Sequence, residues 1–227
     1  MPKTSICRRF TVVLPAIILT IFATAASGGE GIMLSRQGQS RAAIVANGYE
    51  EQAKELAAYL TKISGAEYPV IGATGDIEDG MSAIVLDVAE NIPGVSDERT
   101  GQQGYRIHTA GDRLHLTGRT EQGLTYAVYG FLDEHLGVRF FAPDVEVIPA
   151  RPTMVIGPLD DRQEPAFLSR AFSYPYGHPL AKQEPEYREK NRGNTPRISA
   201  HHNFYKWIPP GKHFDDHPEW FPLIDGE

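Results

Sequence analysis

The side chains able to do chemistry are unevenly spread. The stretch from Pro165 to Glu227 is a little over a quarter of the 227 residues. It nevertheless holds 11 of the 22 aromatics, five of the eight histidines and nine of the 17 prolines, so two different units are expected, divided near residue 165. In the second unit Arg170 offers a planar fork suited to bidentate contacts with paired oxygens. Its alternative is a salt bridge or a solvated position. His201 and His202 are adjacent, so in an extended segment they point to opposite faces. At most one of them faces a site, where it either touches ligand or is a satisfied structural histidine. Tyr205, Trp207 and Trp220 either stack on a ligand or pack beneath loops. His213, Asp215, Asp216 and His217 put four ligand-type side chains within five residues. The H-x-D-D-H order matches no zinc or calcium spacing, however, and reads as a charged helical turn. Asp76, Glu78 and Asp79 lack the twelve-residue loop of an EF-hand and read as a solvated turn. No phosphate loop, dinucleotide fingerprint or nucleophile-elbow serine is present, so neither metal nor cofactor is expected.

The elements that must position such residues are clearest before residue 160. Ala42 to Ala46 is a short apolar strand. Asn47 and Glu50 have capping-box spacing ahead of a helix in which Ala53, Leu56, Ala57, Leu60 and Ile63 recur at helical period, ended by Gly65. Ser82 to Val88 is a second apolar strand. Tyr105, Ile107, Leu114 and Leu116 alternate with polar residues around Ala110-Gly111-Asp112, which reads as a hairpin. Thr120 caps a second helix with Leu124, Ala127, Val128, Phe131, Leu132 and Leu136 inward. Short strands follow at Val138 to Phe141, Val145 to Ile148 and Thr153 to Ile156. Gly104, Gly111, Gly118 and Gly137 fall where turns or helix ends favour positive φ. Phe140 and Phe141 face opposite ways, so at least one fills the space between sheet and helix. The fold class is α+β, with two helices on one face of a mainly antiparallel sheet. Beyond it, Pro165 to Phe172 and Ser199 to Tyr205 read as strands, Tyr174 to Arg197 as a long loop, and His213 to His217 as a short helix.

The start of the chain has a different role. Lys3, Arg8 and Arg9 precede an apolar run from Phe10 to Ala26, and Ala23, Ala25, Ala26 and Ser27 offer small-residue cleavage sites. Residues 1–29 therefore read as a signal peptide, and the protein as secreted or periplasmic. A transmembrane anchor is the competing reading of the same run, against which Pro15 and the small residues argue. Cys7 lies in the leader, so the mature chain holds together without disulfides and without a stable membrane anchor. The net charge of −7 includes +3 from the leader, leaving about −10, which disfavours a nucleic-acid partner. Nothing in the sequence fixes the oligomeric state.

Four stretches carry a family resemblance: Ala53-Lys54-Glu55-Leu56 through Ser64-Gly65-Ala66, Gly104-Tyr105-Arg106-Ile107, Gly118-Arg119-Thr120-Glu121-Gln122-Gly123, and Gly130-Phe131-Leu132-Asp133 through Gly137-Val138-Arg139-Phe140-Phe141-Ala142-Pro143. Over residues 40–160 they resemble the N-terminal domain shared by α-glucuronidases and family 20 β-hexosaminidases. The nearest resemblance is to an uncharacterised bacterial family that joins this domain to a hydrolase-like barrel. His201 to Lys206 and His217 to Phe221 resemble the opening of that barrel.

The resemblance implies that residues 165–227 begin a truncated TIM-like barrel, and that the substrate is a carbohydrate in polysaccharide. Glycoside hydrolysis needs two carboxyl groups flanking the bond. In the resembled enzymes they lie on later barrel strands, so no catalytic residue is assigned within this chain. What remains is a substrate-binding rim of Arg170, His201, His202, Tyr205 and Trp207. The alternative reading is a non-catalytic scaffold or a carbohydrate-binding module.

Overall fold

In the computed structural model the described residues are 31–96, 98–171, 173, 177–195 and 204–222. The expected leader lies outside them, as do His201 and His202.

The sheet grows from β3 (Ala42–Val45), an apolar strand buried along its whole length. The chain then crosses over through α1 (Glu50–Ser64) to β4 (Val70–Ile71), which pairs parallel to β3; β5 (Ser82–Val88) pairs parallel on the other side. A hairpin of β6 (Tyr105–Ala110) and β7 (Arg113–Gly118) sets β7 parallel against β5. β11 (Asp160–Gln163) closes the edge antiparallel to β6, for an order of β11-β6-β7-β5-β3-β4. The expectation of a mainly antiparallel sheet is therefore corrected beneath the helices, where three parallel pairings lie side by side. Parallel neighbours require crossovers, and α1 and the connection 89–104 supply them.

Both helices do lie on one face. Leu56, Leu60 and Ile63 of α1, and Leu124, Ala127 and Val128 of α2 (Glu121–Gly130), share one core with Ile44, Ile84, Leu86, Leu114 and Leu116. Burying each of these large aliphatic side chains contributes about 1.5–3 kcal/mol. Thr120 caps α2 as expected, its hydroxyl accepting from the Gly123 N–H at 3.2 Å. Asn47 does not cap α1. It takes φ 49 in the turn after β3, a conformation asparagine tolerates, and its amide donates to the Leu86 carbonyl at 2.9 Å. The helix starts from Tyr49 without a side-chain cap. At its far end α2 widens into a π-turn over Phe131–His135 before β8 (Arg139–Ala142) and β9 (Val145–Val147) form a separate hairpin. Phe140 is buried between Tyr59 and Tyr129, edge-on to both at 5.7 Å, while Phe141 is exposed. A third sheet, unexpected in its first strand, joins β10 (Met154–Ile156), β1 (Ile32–Arg36) and β2 (Gln39–Ser40).

Of the four glycines expected at positive φ, Gly111 (62) and Gly137 (78) comply. Gly104 and Gly118 serve close approach instead: a Cβ on Gly118 would stand 2.0 Å from the Leu124 nitrogen, where β7 turns into α2.

The segment after Pro165 departs most from expectation. No strand forms in the described part of Pro165–Phe172; an isolated bridge pairs Arg170 with Asn194. The expected loop holds α3 (Glu184–Lys190), and the described end of the second expected strand is helical, α4 (Phe204–Trp207). The short helix is α5 (Pro210–His213), just before the span expected for it. Local chemistry explains α3: Pro185 sits in its first turn with Glu184 and Glu186, and Arg188 and Lys190 sit in its last.

Candidate functional site

The described residues of 165–171 and 177–195 form a strap across the corner made by α2, the π-turn and β8. Arg170 organises it. Its Nε and Nη2 donate to the Arg192 carbonyl at 3.0 and 2.7 Å, Nη1 to the Phe167 carbonyl at 2.6 Å, and Nη2 also to Gln103 Oε1 at 2.6 Å. The guanidinium lies over the Tyr126 ring, 5.8 Å from its centre, and burial pulls its pKa down. Asn194 ties back to the Leu168 carbonyl, and the Tyr126 hydroxyl donates to the Gly193 carbonyl at 2.8 Å. The described acceptors of Arg170 are thus two backbone carbonyls and an amide oxygen.

The strap also docks through charge. Lys190 meets Glu146 at 2.8 Å, and Arg192 Nη2 meets Asp133 at 3.0 Å and Glu134 at 3.2 Å. Asp133 receives Arg139 as well. Burial pushes the Glu146 carboxyl up, but hydrogen bonds from Lys190 and Tyr59 outweigh it and hold the group below the usual carboxylate range.

Behind the strap lies a polar cavity of about 230 Å³. It is lined by Gln103, Tyr105, Tyr126, Glu134, Gln163, Glu164, Arg170, Asn191 and Arg192 among others. Arg192 carries φ 55 at the end of α3. The Gly193 N–H bonds the Arg188 carbonyl and the Arg192 N–H bonds the Glu189 carbonyl, the paired bonds of a Schellman end. Glycine favours that position, and a side chain there costs roughly 1 kcal/mol. Arg192 Nη1 is shielded from solvent and has no hydrogen-bond partner among the described residues.

A second groove, about 270 Å³, lies between α1, α2 and α3, lined by Glu51, Glu55, Glu186, Glu189 and Tyr129 among others. Burial, then the charges of Glu55 and Glu186, raises the Glu189 pKa. On the sheet face away from the helices, His108 and His115 stack at 4.8 Å. The pKa values of both are lowered, first by burial and then by neighbouring arginines, Arg106 and Arg113 respectively.

Of the described residues that the sequence offers as a substrate-binding rim, Arg170 lines the cavity and Tyr205 and Trp207 do not; His201 and His202 lie outside the described residues. Tyr205 and Trp207 stand on α4 with 68% and 66% of their surface exposed. Trp220 has one ring face covered by His217, stacked at 4.0 Å, and His217 also meets Glu219. Among the described residues no group of three or more metal-ligating side chains is placed to hold an ion. Gln103, Glu134, Asn191 and Arg192 were not singled out. The one available signal was Asn191-Arg192-Gly193 after a charged run, which marks a helix end.

No protein-family model matches this chain, and no curated protein matches it. Solved structures similar to it include a family 20 β-N-acetylhexosaminidase from Streptomyces coelicolor, at 21% identity and a TM-score of 0.37 over 59% of this chain and 24% of that one. An exo-β-N-acetylglucosaminidase from Vibrio harveyi shows 13% identity and a TM-score of 0.39 over 63% of this chain and 18% of that one. A Streptomyces plicatus β-hexosaminidase shows 18% identity and a TM-score of 0.37 over 63% and 25%. The chain thus spans about a quarter or less of the length of these proteins.

Proposed function

We propose that this chain is the supporting front portion of an exported carbohydrate-active protein that hydrolyses glycosidic bonds in polysaccharide. Its catalytic carboxylates then belong to a further domain. Two features support the reading. The first is the run from Gly130 to Pro143, whose residue pattern resembles glycosidase N-terminal domains and which builds the corner that receives the strap. The second, and the one that carries it, is how the carboxylates at that corner are used. Hydrolysis needs two carboxyl groups roughly 5–9.5 Å apart across an open bond site. Here Asp133 is held by Arg139 and Arg192, Glu146 by Lys190 and Tyr59, and Glu164 by Ser96 and Thr100. They fasten the strap and neighbouring loops.

Aryl-glucuronide and aryl-hexosaminide assays test this. No turnover is expected from the 227-residue chain, and turnover is expected from a gene product that extends past it. Turnover by the shorter chain overturns the assignment. Export is tested by fractionating cells that express the tagged chain. A mature N-terminus near residue 29 outside the cytoplasm is expected, and an uncleaved cytoplasmic chain overturns it. The second reading, a carbohydrate-binding module without catalysis, draws on the exposed Tyr205 and Trp207 rings. It predicts polysaccharide binding with no hydrolysis by either product.

A further inference from the structure

We infer that the cavity behind the strap is a binding site for one neutral pyranose unit. Three observations converge on a ligand there. Arg192 occupies a backbone position that favours glycine, so its side chain stands there at a local conformational cost. Its pairing with Asp133 and Glu134 employs Nη2 alone, and Nη1 is shielded without a partner among the described residues. The amides lining the cavity are each half used. Gln103 accepts from Arg170 through Oε1, Gln163 donates to Asp161, and Asn191 donates to the Tyr187 carbonyl. Among the described residues the Gln103 amide N–H, the Gln163 carbonyl and the Asn191 carbonyl have no protein partner and stand open to water or a ligand, Asn191 being exposed and Gln163 half-buried.

The chemistry of those free groups selects the ligand. They mix donors and acceptors, which suits vicinal hydroxyls, since each hydroxyl both gives and receives. Two guanidiniums, Arg170 and Arg192, stand against two carboxylates, Glu134 and Glu164, so a ligand with net charge meets a repulsive partner whichever its sign. Tyr105 and Tyr126 also line the cavity, both almost fully buried, with the Arg170 guanidinium over the Tyr126 ring. The volume of about 230 Å³ falls below the range of drug-sized pockets, roughly 300–1,000 Å³, and suits a single ring. The choice of a sugar among neutral polyols rests on the carbohydrate reading above; the unsatisfied groups do not.

Saturation-transfer NMR and calorimetry on the full chain test the site with methyl glucoside, methyl N-acetylglucosaminide, acetate and inorganic phosphate as probes. Millimolar binding of a neutral pyranoside is expected, with acetate and phosphate failing to compete. Arg192→Gly removes the guanidinium at a backbone position glycine prefers, and it is expected to weaken binding tenfold or more while the circular dichroism stays native. Gln163→Leu, also in the lining, checks the same loss without touching the strap's ion pairs. Failure of both pyranosides to bind overturns the proposal, as does binding of acetate or phosphate in their place. Pyranoside binding unchanged in both variants also overturns it, by placing the sugar elsewhere. That last result leaves the polysaccharide reading standing, because hydrolysis by the extended gene product is measured separately.

Discussion

Lys190 approaches Glu146 at the same carboxylate oxygen that accepts the Tyr59 hydroxyl, both at 2.8 Å. One oxygen thus joins α1, the β8–β9 hairpin and the strap helix α3. Lys190→Met removes the cation from a carboxylate that is already largely shielded. A loss of about 1–3 kcal/mol is expected, read as faster proteolysis within residues 165–195 and a lower urea midpoint. The pH dependence has two sides. The Glu146 carboxyl titrates below its ordinary range, so its contribution is present above about pH 4.5 and fades as pH falls through the lower folded value. Burial pulls Lys190 down, but hydrogen bonds to Glu146 and Glu186 outweigh it and push the group up, so its contribution is whole below about pH 10.5 and is lost as pH rises from there through the raised folded value.

Glu189 has the opposite sign. Its folded pKa is raised, first by burial and then by Glu55 and Glu186, so its ionisation opposes folding as pH rises. Glu189→Gln is expected to raise Tm at pH 7 and to match the parent near pH 4, measured by thermal melts at both values. Equal melts at pH 7 would falsify this account of the groove.

The stacked histidines supply a second titration. Both folded values lie below the ordinary 6.5, burial being the largest cause, with Arg106, Arg113 and Arg162 and the carboxylates Asp87 and Asp160 facing them. Their contribution to stability is whole above pH 6.5 and is lost as pH falls through the depressed values. The double variant His108→Phe with His115→Phe is expected to lose less Tm than the parent between pH 7 and pH 5.

Gly118→Ala is expected to be strongly damaging. Its Cβ meets backbone at 2.0 Å, which no rotamer change relieves. Overpacking of that kind costs about 3 kcal/mol, a fall in Tm on the order of 10 °C for a domain of this size. A variant melting with the parent would show that β7 and α2 move apart freely.

Much of the fold was legible because it rests on periodicity. The apolar stripe of α1, the alternation of β6 and β7, and the Thr120 cap all appear in the structure where the sequence puts them. What escaped reading is held by other means. β11 is Asp-Asp-Arg-Gln, an edge strand stabilised by backbone pairing to β6 and by Asp160 with Arg106, so it shows no apolar alternation. α3 has no apolar stripe either. It is supported by Glu184 with Arg188, by Glu186 with Lys190, and by its docking on Glu146. The cavity was illegible for a different reason. Gln103, Glu134, Gln163 and Arg192 are far apart in the chain, and each alone is an ordinary polar residue.

The central position of β7 also governs the order of assembly. Both strands that flank it, β5 and β6, precede it in the chain. Until Gly118 has been synthesised, the apolar edge of β5 at Ala83, Ile84, Val85 and Leu86 has nothing to pair with on that side. Such an edge is a template for other chains. Nascent chains arrested before β7 are therefore expected to self-associate or to be held by chaperones, and those arrested after Gly118 to be released from that state.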